Sequence, residues 1–374
     1  MKARTALLRA MGGPRPYQDT KPLEIVEVEL DDPEAGELRV RMVAAGLCHS
    51  DLSVINGDRP RDMPVALGHE ASGVVEEVGP GVTRFSPGDH VVLVFVPSCG
   101  HCVPCASGRP ALCEPGAAAA AKGTLLSGGR RIRYKGQPIN HHIGVSAFST
   151  HAVVSENSCI KIDKSIPLER AALLGCAVLT GVGAVLNSGE LKMGQSCAIV
   201  GLGGVGLAGL LGAVAAGAET IIAADPAAHK RALALELGAT HAIDPTSENA
   251  IAEVKALTNG GVDLAVELAG AAPALRFAYD ITRRGGTTVT GGLPNPKAEL
   301  TIPAVSLTVS EQTLKGSYVG SCVPVRDIPR FAAMMQAGKL PIEKLVTHTI
   351  SLDEINEGFE RLATGEAIRQ IIRF

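Results

Sequence analysis

No run of like charge occurs in this sequence. Its 35 Lys and Arg are scattered among 38 Asp and Glu, for a formal net charge of −3. A protein that neutralises several phosphates gathers its cations on one face, so a nucleic-acid partner is excluded and a small neutral or weakly anionic one is expected. Also missing is the unbroken apolar core of a secretory signal: the opening MKARTALLRAMGG is interrupted at Arg9. A cytoplasmic location is the expectation. Only residues 197–218 go without charge for long enough to suggest a bilayer span. Gly201, Gly203, Gly204, Gly206, Gly209, Gly212 and Gly217 punctuate that stretch. The first of them form a turn pattern and the rest permit close packing, so no membrane partner is expected. Cysteine is not scarce, but nine is an odd number. Without a secretion signal a complete disulfide framework is disfavoured, which leaves metal binding as the leading use of any clustered cysteines.

With 374 residues and 46% apolar content the chain is long enough for about two domains. Over residues 22–95, short β-branched runs alternate with Pro, Gly and Asp, the pattern of an all-β region with tight turns, and a partly open β-barrel fits it. Residues 97–140 are irregular, and the alanine run at 117–121 reads as a flexible surface loop. From Ser196 the rhythm becomes strand then helix, which predicts a parallel sheet covered on both faces. After about Lys315 the order loosens, and residues 352–374 read as one helix followed by a short strand that rejoins the first domain.

Gly201-Leu202-Gly203-Gly204-Val205-Gly206 follows a predicted strand and opens a helix. Glycines there let the backbone approach a pyrophosphate, which the aligned N–H groups and the positive helix end then hold. Asp225 ends the next strand, roughly 20 residues on, where a carboxylate accepts hydrogen bonds from ribose hydroxyls. Facing a 2′-phosphate it would instead meet a repulsion of about 1 to 4 kcal/mol per charge pair. Pro226 supplies no cation to offset that, so NAD is expected rather than NADP, with Lys230 placed to bond the ribose. The fold class is therefore α/β: a doubly wound parallel sheet of the Rossmann type joined to a β-barrel domain.

Cys99, Cys102, Cys105 and Cys113, spaced C-x2-C-x2-C-x7-C in a Gly- and Pro-rich loop, can close a tetrahedral zinc shell with no open position. That metal would be structural, and His101 inside the loop is expected to be exposed. Cys48, His69 and Cys176 lie far apart in sequence. Read singly, each fits a buried cysteine or a satisfied core histidine.

Gly68-His69-Glu70, Glu76-Glu-Val-Gly-Pro-Gly-Val82, Phe85 with Pro87-Gly-Asp89, the four-Cys loop, the glycine turn and Gly365-Glu-Ala-Ile-Arg369 occur in one order along the whole chain. In that order they resemble the zinc-containing alcohol dehydrogenases of the medium-chain type. The resemblance implies a GroES-like catalytic domain (1–180, with 322–374 returning to it), a Rossmann domain (181–321) and an active site in the cleft. It further implies reversible hydride transfer between a primary alcohol–aldehyde pair and NAD, with two zinc ions per chain. Cys48, His69 and Cys176 match the ligands of the catalytic zinc, whose fourth place takes water or substrate oxygen. Asp51 matches the carboxylate that orients the histidine ligand, and Glu70 a residue that approaches the metal during ligand exchange. Ser50 matches the hydroxyl that accepts the alcohol proton. His49 and Arg369 match contacts to the cofactor pyrophosphate.

One departure stands out: Ser53 occupies the place of a relay histidine, so the usual imidazole outlet is missing, and His141 and His142 are assigned to the surface. Phe95, Phe148 and Leu293 match an apolar substrate pocket suited to unbranched, aromatic or allylic alcohols. A glutathione-dependent formaldehyde dehydrogenase is the near alternative, but the Arg of that branch is replaced by Ala117. A non-enzymatic, crystallin-like protein on the same fold would have no reason to keep every metal ligand. Asp225 and the four-Cys loop both count against a zinc-free NADPH quinone reductase. Relatives pair through the edge strands of the Rossmann sheet, so a homodimer is expected, with a tetramer as the alternative.

Overall fold

The computed structural model describes residues 1–374 and divides them into two units. The first comprises 1–176, 323–336 and 346–374, the second 177–322 and 337–345. The expected return of 322–374 is thus interrupted, because the segment carrying the short helix Ile342–Leu345 belongs with the second unit.

In the first unit strands Lys2–Leu8, Leu23–Leu30, Ile132–Tyr134, Gln137–His141 and Val65–Ala66 close into a barrel, rather than the partly open one expected. A second sheet runs Cys159–Lys161, His90–Leu93, Ala71–Val78, Glu37–Gly46, Arg369–Arg373 and Val346–Ile350, and His151–Ser155 pairs with Glu37–Gly46. Alternation turns Leu38, Val40 and Met42 inward, where they share a core with Leu93, Phe148 and Phe359. The final strand pairs antiparallel to Glu37–Gly46 with Ile371 opposite Gly46, which carries the chain's end alongside the turn at Leu47 and Cys48.

The alanine run is helical, not a loop. Glu114–Ala121 forms a helix whose N-cap, Cys113, accepts a hydrogen bond from Gly116 N–H through its sulfur. Pro115 suits the first turn, and alanine, the best helix former, fills the rest. The expected loop fails because low complexity does not by itself mean disorder.

In the second unit six parallel strands lie in the order His241–Ile243, Thr220–Ala224, Ser196–Val200, Val262–Glu267, Thr282–Thr290, Thr313–Gly316. This is the 3-2-1-4-5-6 order of the dinucleotide-binding fold, whose ligand crevice lies at the carboxyl end of the first strand. The charge-free stretch is Ser196–Val200 plus the helix Gly204–Ala215, both largely buried. No single helix is long and apolar enough to cross a membrane. Glycines on both helices let Gly204–Ala215 press against Ala177–Gly183: a Cβ at Gly181 would come within 2.2 Å of Val205 O, and one at Gly209 within 3.2 Å of Gly181 O.

Candidate active site

Cys48 follows the strand Glu37–Gly46 and takes the N-cap position of the helix His49–Ile55 in extended conformation. Gly68 sets the next donor. At φ +97° it occupies the left-handed region, and a Cβ there would lie 2.4 Å from Phe148 N, so only glycine lets the chain pass and deliver His69 inward. Cys176 ends the turn Ala172–Gly175, where Gly175 packs so close to Leu93 O that a Cβ would sit 2.2 Å away. The ligand atoms of Cys48, His69, Glu70 and Cys176 all fall within 4.8 Å of one another, and all four residues are buried. His69 Nε2 is 3.4 Å from Cys176 Sγ, and its Nδ1 is 3.0 Å from Asp51 Oδ2.

Charges in so small and dry a space perturb one another. A hydrogen bond from the Cys176 thiol holds the Cys48 thiol well below the ordinary range against the opposing effect of burial, and His69 acts the same way. That pairing and burial push Cys176 well above it. Burial disfavours charge on His69, but Asp51 and Cys48 outweigh it and raise the imidazole well above its usual value. Burial also raises the Asp51 carboxyl, with His69 opposing. Two thiols and an imidazole, with a carboxylate behind the imidazole, are the donor set of a zinc site that keeps a position open.

Cys99, Cys102, Cys105 and Cys113 likewise bring their sulfurs within 4.8 Å of one another. Every cysteine in the chain is a free thiol. Cys102 Sγ and Cys113 Sγ are 4.0 Å apart, close to the edge of about 3.8 Å that a tetrahedron with Zn–S bonds of ~2.3 Å requires. Cys99 N–H and Gly116 N–H donate to Cys113 Sγ and Cys102 N–H to Cys99 Sγ, the neutralising contacts a thiolate cluster needs. Backbone donation from His101 and then Cys102 brings the Cys99 thiol down to about 6. The exposed His101 ring, with Nδ1 2.9 Å from Cys99 O, stands outside the four-sulfur set.

In the second unit Gly201 sits at φ +92°, with Ala269 N 2.5 Å from where a Cβ would lie, and a Cβ on Gly206 would collide with Gly201 O at 1.7 Å. Gly203, the N-cap of Gly204–Ala215, has open space where its Cβ would point, so the turn is bare on the side a pyrophosphate would occupy. Asp225 accepts Leu202 N–H at 2.8 Å and Ala227 N–H at 2.9 Å, which locks its carboxylate beside the turn.

Residues 34–164 match the alcohol dehydrogenase GroES-like domain, and residues 204–337 match the zinc-binding dehydrogenase family. An NDMA-dependent alcohol dehydrogenase of Amycolatopsis methanolica is 41% identical, covering 100% of this chain and 99% of its own length. The chain belongs to the zinc-containing medium-chain alcohol dehydrogenases. Two solved structures carry the same architecture. An alcohol dehydrogenase zinc-binding domain protein from Burkholderia ambifaria is 36% identical at a TM-score of 0.94, covering 100% of this chain and 99% of its own. Benzyl alcohol dehydrogenase from Acinetobacter calcoaceticus is 32% identical at 0.93, again covering 100% and 99%.

Other residues of the dehydrogenase fall differently from expectation. Phe148 is fully buried and packs edge-on against Phe359 at 5.9 Å, so it is core rather than pocket. Phe95 does stand at the site, its ring 5.1 Å from that of His69. Leu293 is 51% exposed on the second unit. Neither His141 nor His142 is on the surface: each is 1% exposed. His141 Nε2 accepts Arg131 N–H at 3.1 Å, and His142 Nε2 lies 3.3 Å from Asp51 Oδ1. The apolar neighbours Ile139 and Ile143 were the available signal that this histidine pair turns inward. Arg369, 4% exposed, donates to Glu70 Oε2 and Leu47 O, each at 3.3 Å. Ser50 is half-buried in the first turn after Cys48, His49 is exposed, and Ser53 Oγ donates to His49 O at 2.8 Å. Sequence reading also passed over Arg231, which donates to the carbonyls of Asp225 at 2.7 Å and Pro226 at 2.9 Å. Lys230 precedes it, half-buried, on the helix Ala228–Glu236.

Proposed function

We propose that the chain oxidises primary alcohols to aldehydes, and the reverse, with NAD as hydride carrier and two zinc ions per chain. The observation that carries this is the convergence of Cys48, His69 and Cys176 within 4.8 Å with Glu70 beside them, from positions remote in sequence. Zinc held there would act as a Lewis acid that lowers the pKa of a hydroxyl. The chain's own residues account for the rest. Asp51 holds the imidazole through Nδ1, so that Nε2 faces the thiols. Arg369 sets a buried cation against Glu70 and the two sulfurs, which lessens the cost of so much negative charge away from water. Ser50 receives the alcohol proton, whereas the Ser53 hydroxyl already serves the His49 carbonyl. Cys99, Cys102, Cys105 and Cys113 hold the second, structural zinc.

Gly201, Gly203, Gly204, Val205 and Gly206 form the pyrophosphate turn, and His49 and Arg369 are the basic groups read as serving the cofactor's pyrophosphate. Asp225 takes the ribose hydroxyls, and Lys230 contributes from the next helix. Arg231 directs one guanidinium nitrogen, Nη1, to the carbonyls of Asp225 and Pro226 and to Asp244, 3.3 Å away. Phe95 beside His69, and the name of the Acinetobacter relative, favour an aromatic alcohol. A homodimer through the edge strand Thr313–Gly316 is supported by that strand's open side and by Val305 and Val309, 66% and 56% exposed on the adjoining helix. A cytoplasmic location goes with this reading.

The test follows NADH absorbance across primary, secondary, benzylic and allylic alcohols with NAD or NADP. A parallel series adds NDMA, on which the Amycolatopsis relative's name says that protein depends. Turnover of benzylic or other primary alcohols with NAD is expected. Equal use of NADP would overturn the cofactor assignment, and absence of turnover in every arm would favour a non-enzymatic protein.

A further inference from the structure

Asp51 is fully buried, and a buried carboxylate must find donors for both oxygens or lose its charge. Oδ2 faces His69 Nδ1 at 3.0 Å, and Oδ1 accepts Gly68 N–H at 3.1 Å. His142 Nε2, a buried nitrogen with no aligned hydrogen-bond partner, lies 3.3 Å from Oδ1, on a ring that stands 71° to that of His69 with centroids 5.8 Å apart. Asp51, His69 and His142 form a buried cluster directly behind the metal ligands.

The backbone that brings His142 there is itself unusual. Ile143 has φ +42° and Ser146 φ +58°. For a β-branched residue the left-handed region is a genuine outlier, and such strain persists only where the surroundings enforce it. The loop is fastened by His142 N–H donating to Ser146 Oγ at 3.0 Å and by Val145 N–H donating to His142 O at 3.1 Å. Ile143 and Ser146 follow His142 in the loop that carries its ring beside Asp51.

We propose that His142 is a positioning residue for the metal site: its Nε2 holds Asp51, and Asp51 holds His69 with Nε2 toward the thiols. This inference rests on the assignment of Cys48, His69 and Cys176 as metal ligands. His142 does not touch the reacting atoms. It restricts the rotation of the carboxylate, and so of the imidazole, before any metal arrives. Groups that hold a metal ligand directly, as Asp51 holds His69, typically change metal affinity by about 10- to 100-fold, and His142 acts through that carboxylate.

The experiment compares the full chain with His142→Phe, which keeps a ring of similar size, and His142→Gln, which keeps a nitrogen at the reach of Nε2. Each is loaded with zinc, and release to a chelator is followed. Each is also loaded with cobalt(II), whose absorption bands report ligand geometry. The four-cysteine site serves as internal reference. The expected result is roughly 10- to 100-fold weaker retention at the Cys48 site in His142→Phe, with altered cobalt bands, an unchanged four-cysteine site and substantial rescue in His142→Gln. Equal retention in the parent and His142→Phe overturns the assignment, as does equal loss in Phe and Gln, which would mean that packing alone matters. If His142→Phe does not fold, His142→Asn, whose nitrogen stops short of Asp51, makes the same comparison with His142→Gln. A parent that holds no metal at Cys48, His69 and Cys176 overturns the proposed function itself, a result distinct from loss of His142's role alone.

Discussion

On the proposed reading, proton removal and cofactor choice rest on single side chains. Ser50 stands one turn closer to Cys48 than Ser53, whose hydroxyl is spent on the His49 carbonyl. Ser50→Ala should therefore slow alcohol oxidation by about 10² to 10⁴, the range of a lost proton transfer, while Ser53→Ala should cost less than about tenfold. Single-turnover rates check this, because slow NADH departure can conceal the difference in steady state. A drop of several hundredfold for Ser53→Ala with the fold intact would place Ser53 in the relay. Asp225→Ala should weaken NAD and relax discrimination against NADP by about tenfold or more, as the repulsion toward a 2′-phosphate disappears. It should also lower stability by about 1–3 kcal/mol, since Leu202 N–H and Ala227 N–H lose their acceptor. Titration of each nucleotide together with a urea melt separates the two effects.

At the scale of elements, the four-cysteine segment contains only the four-residue helix Val103–Ala106 and a single 3₁₀ turn. Val103 is 76% exposed, so little apolar burial holds the segment in place. On the proposed reading, bonds to a metal supply what the core does not. Cys102→Ser should lower the melting temperature and bring the chain from about two zinc ions to about one, read by metal analysis beside thermal unfolding. Unchanged melting would count against a structural metal there. The glycine turn and the tight contact of Gly204–Ala215 with Ala177–Gly183 belong to the same scale: each depends on a missing Cβ rather than on an added contact.

For the molecule as a whole, acid is the informative stress. Burial, the largest influence, lowers the pKa of His141 to about 4, against an ordinary value of 6.5. A histidine kept neutral in the fold binds more protons when unfolded, so its contribution is complete above about pH 6.5 and falls away as pH drops toward 4. The loss over that window is on the order of 3 kcal/mol. His141→Gln should flatten the dependence of the urea midpoint between pH 7 and 5. A slope identical to the parent's would show that other groups govern acid unfolding, among them His142 and His151, also shifted down by burial.

Local pattern was enough for whatever depends on local spacing. The four cysteines, the glycine turn with its aspartate and the alternation of strand with helix each occupy a short stretch with one physical solution, and all were legible in the bare sequence. Contacts between remote segments were not. Cys48, His69 and Cys176 became a set only through resemblance to a family, because nothing local distinguishes them from core residues. Phe148 matched a pocket position yet fills the core against Phe359, and His142, adjacent to a second histidine in an ordinary stretch, gave no sign that Asp51 waits opposite. Spacing along the chain determines which groups can be neighbours within a turn or a strand. Only the packed structure, by closing the barrel and laying the last strand beside the first turn of the site, decides which buried charges must meet and neutralise one another.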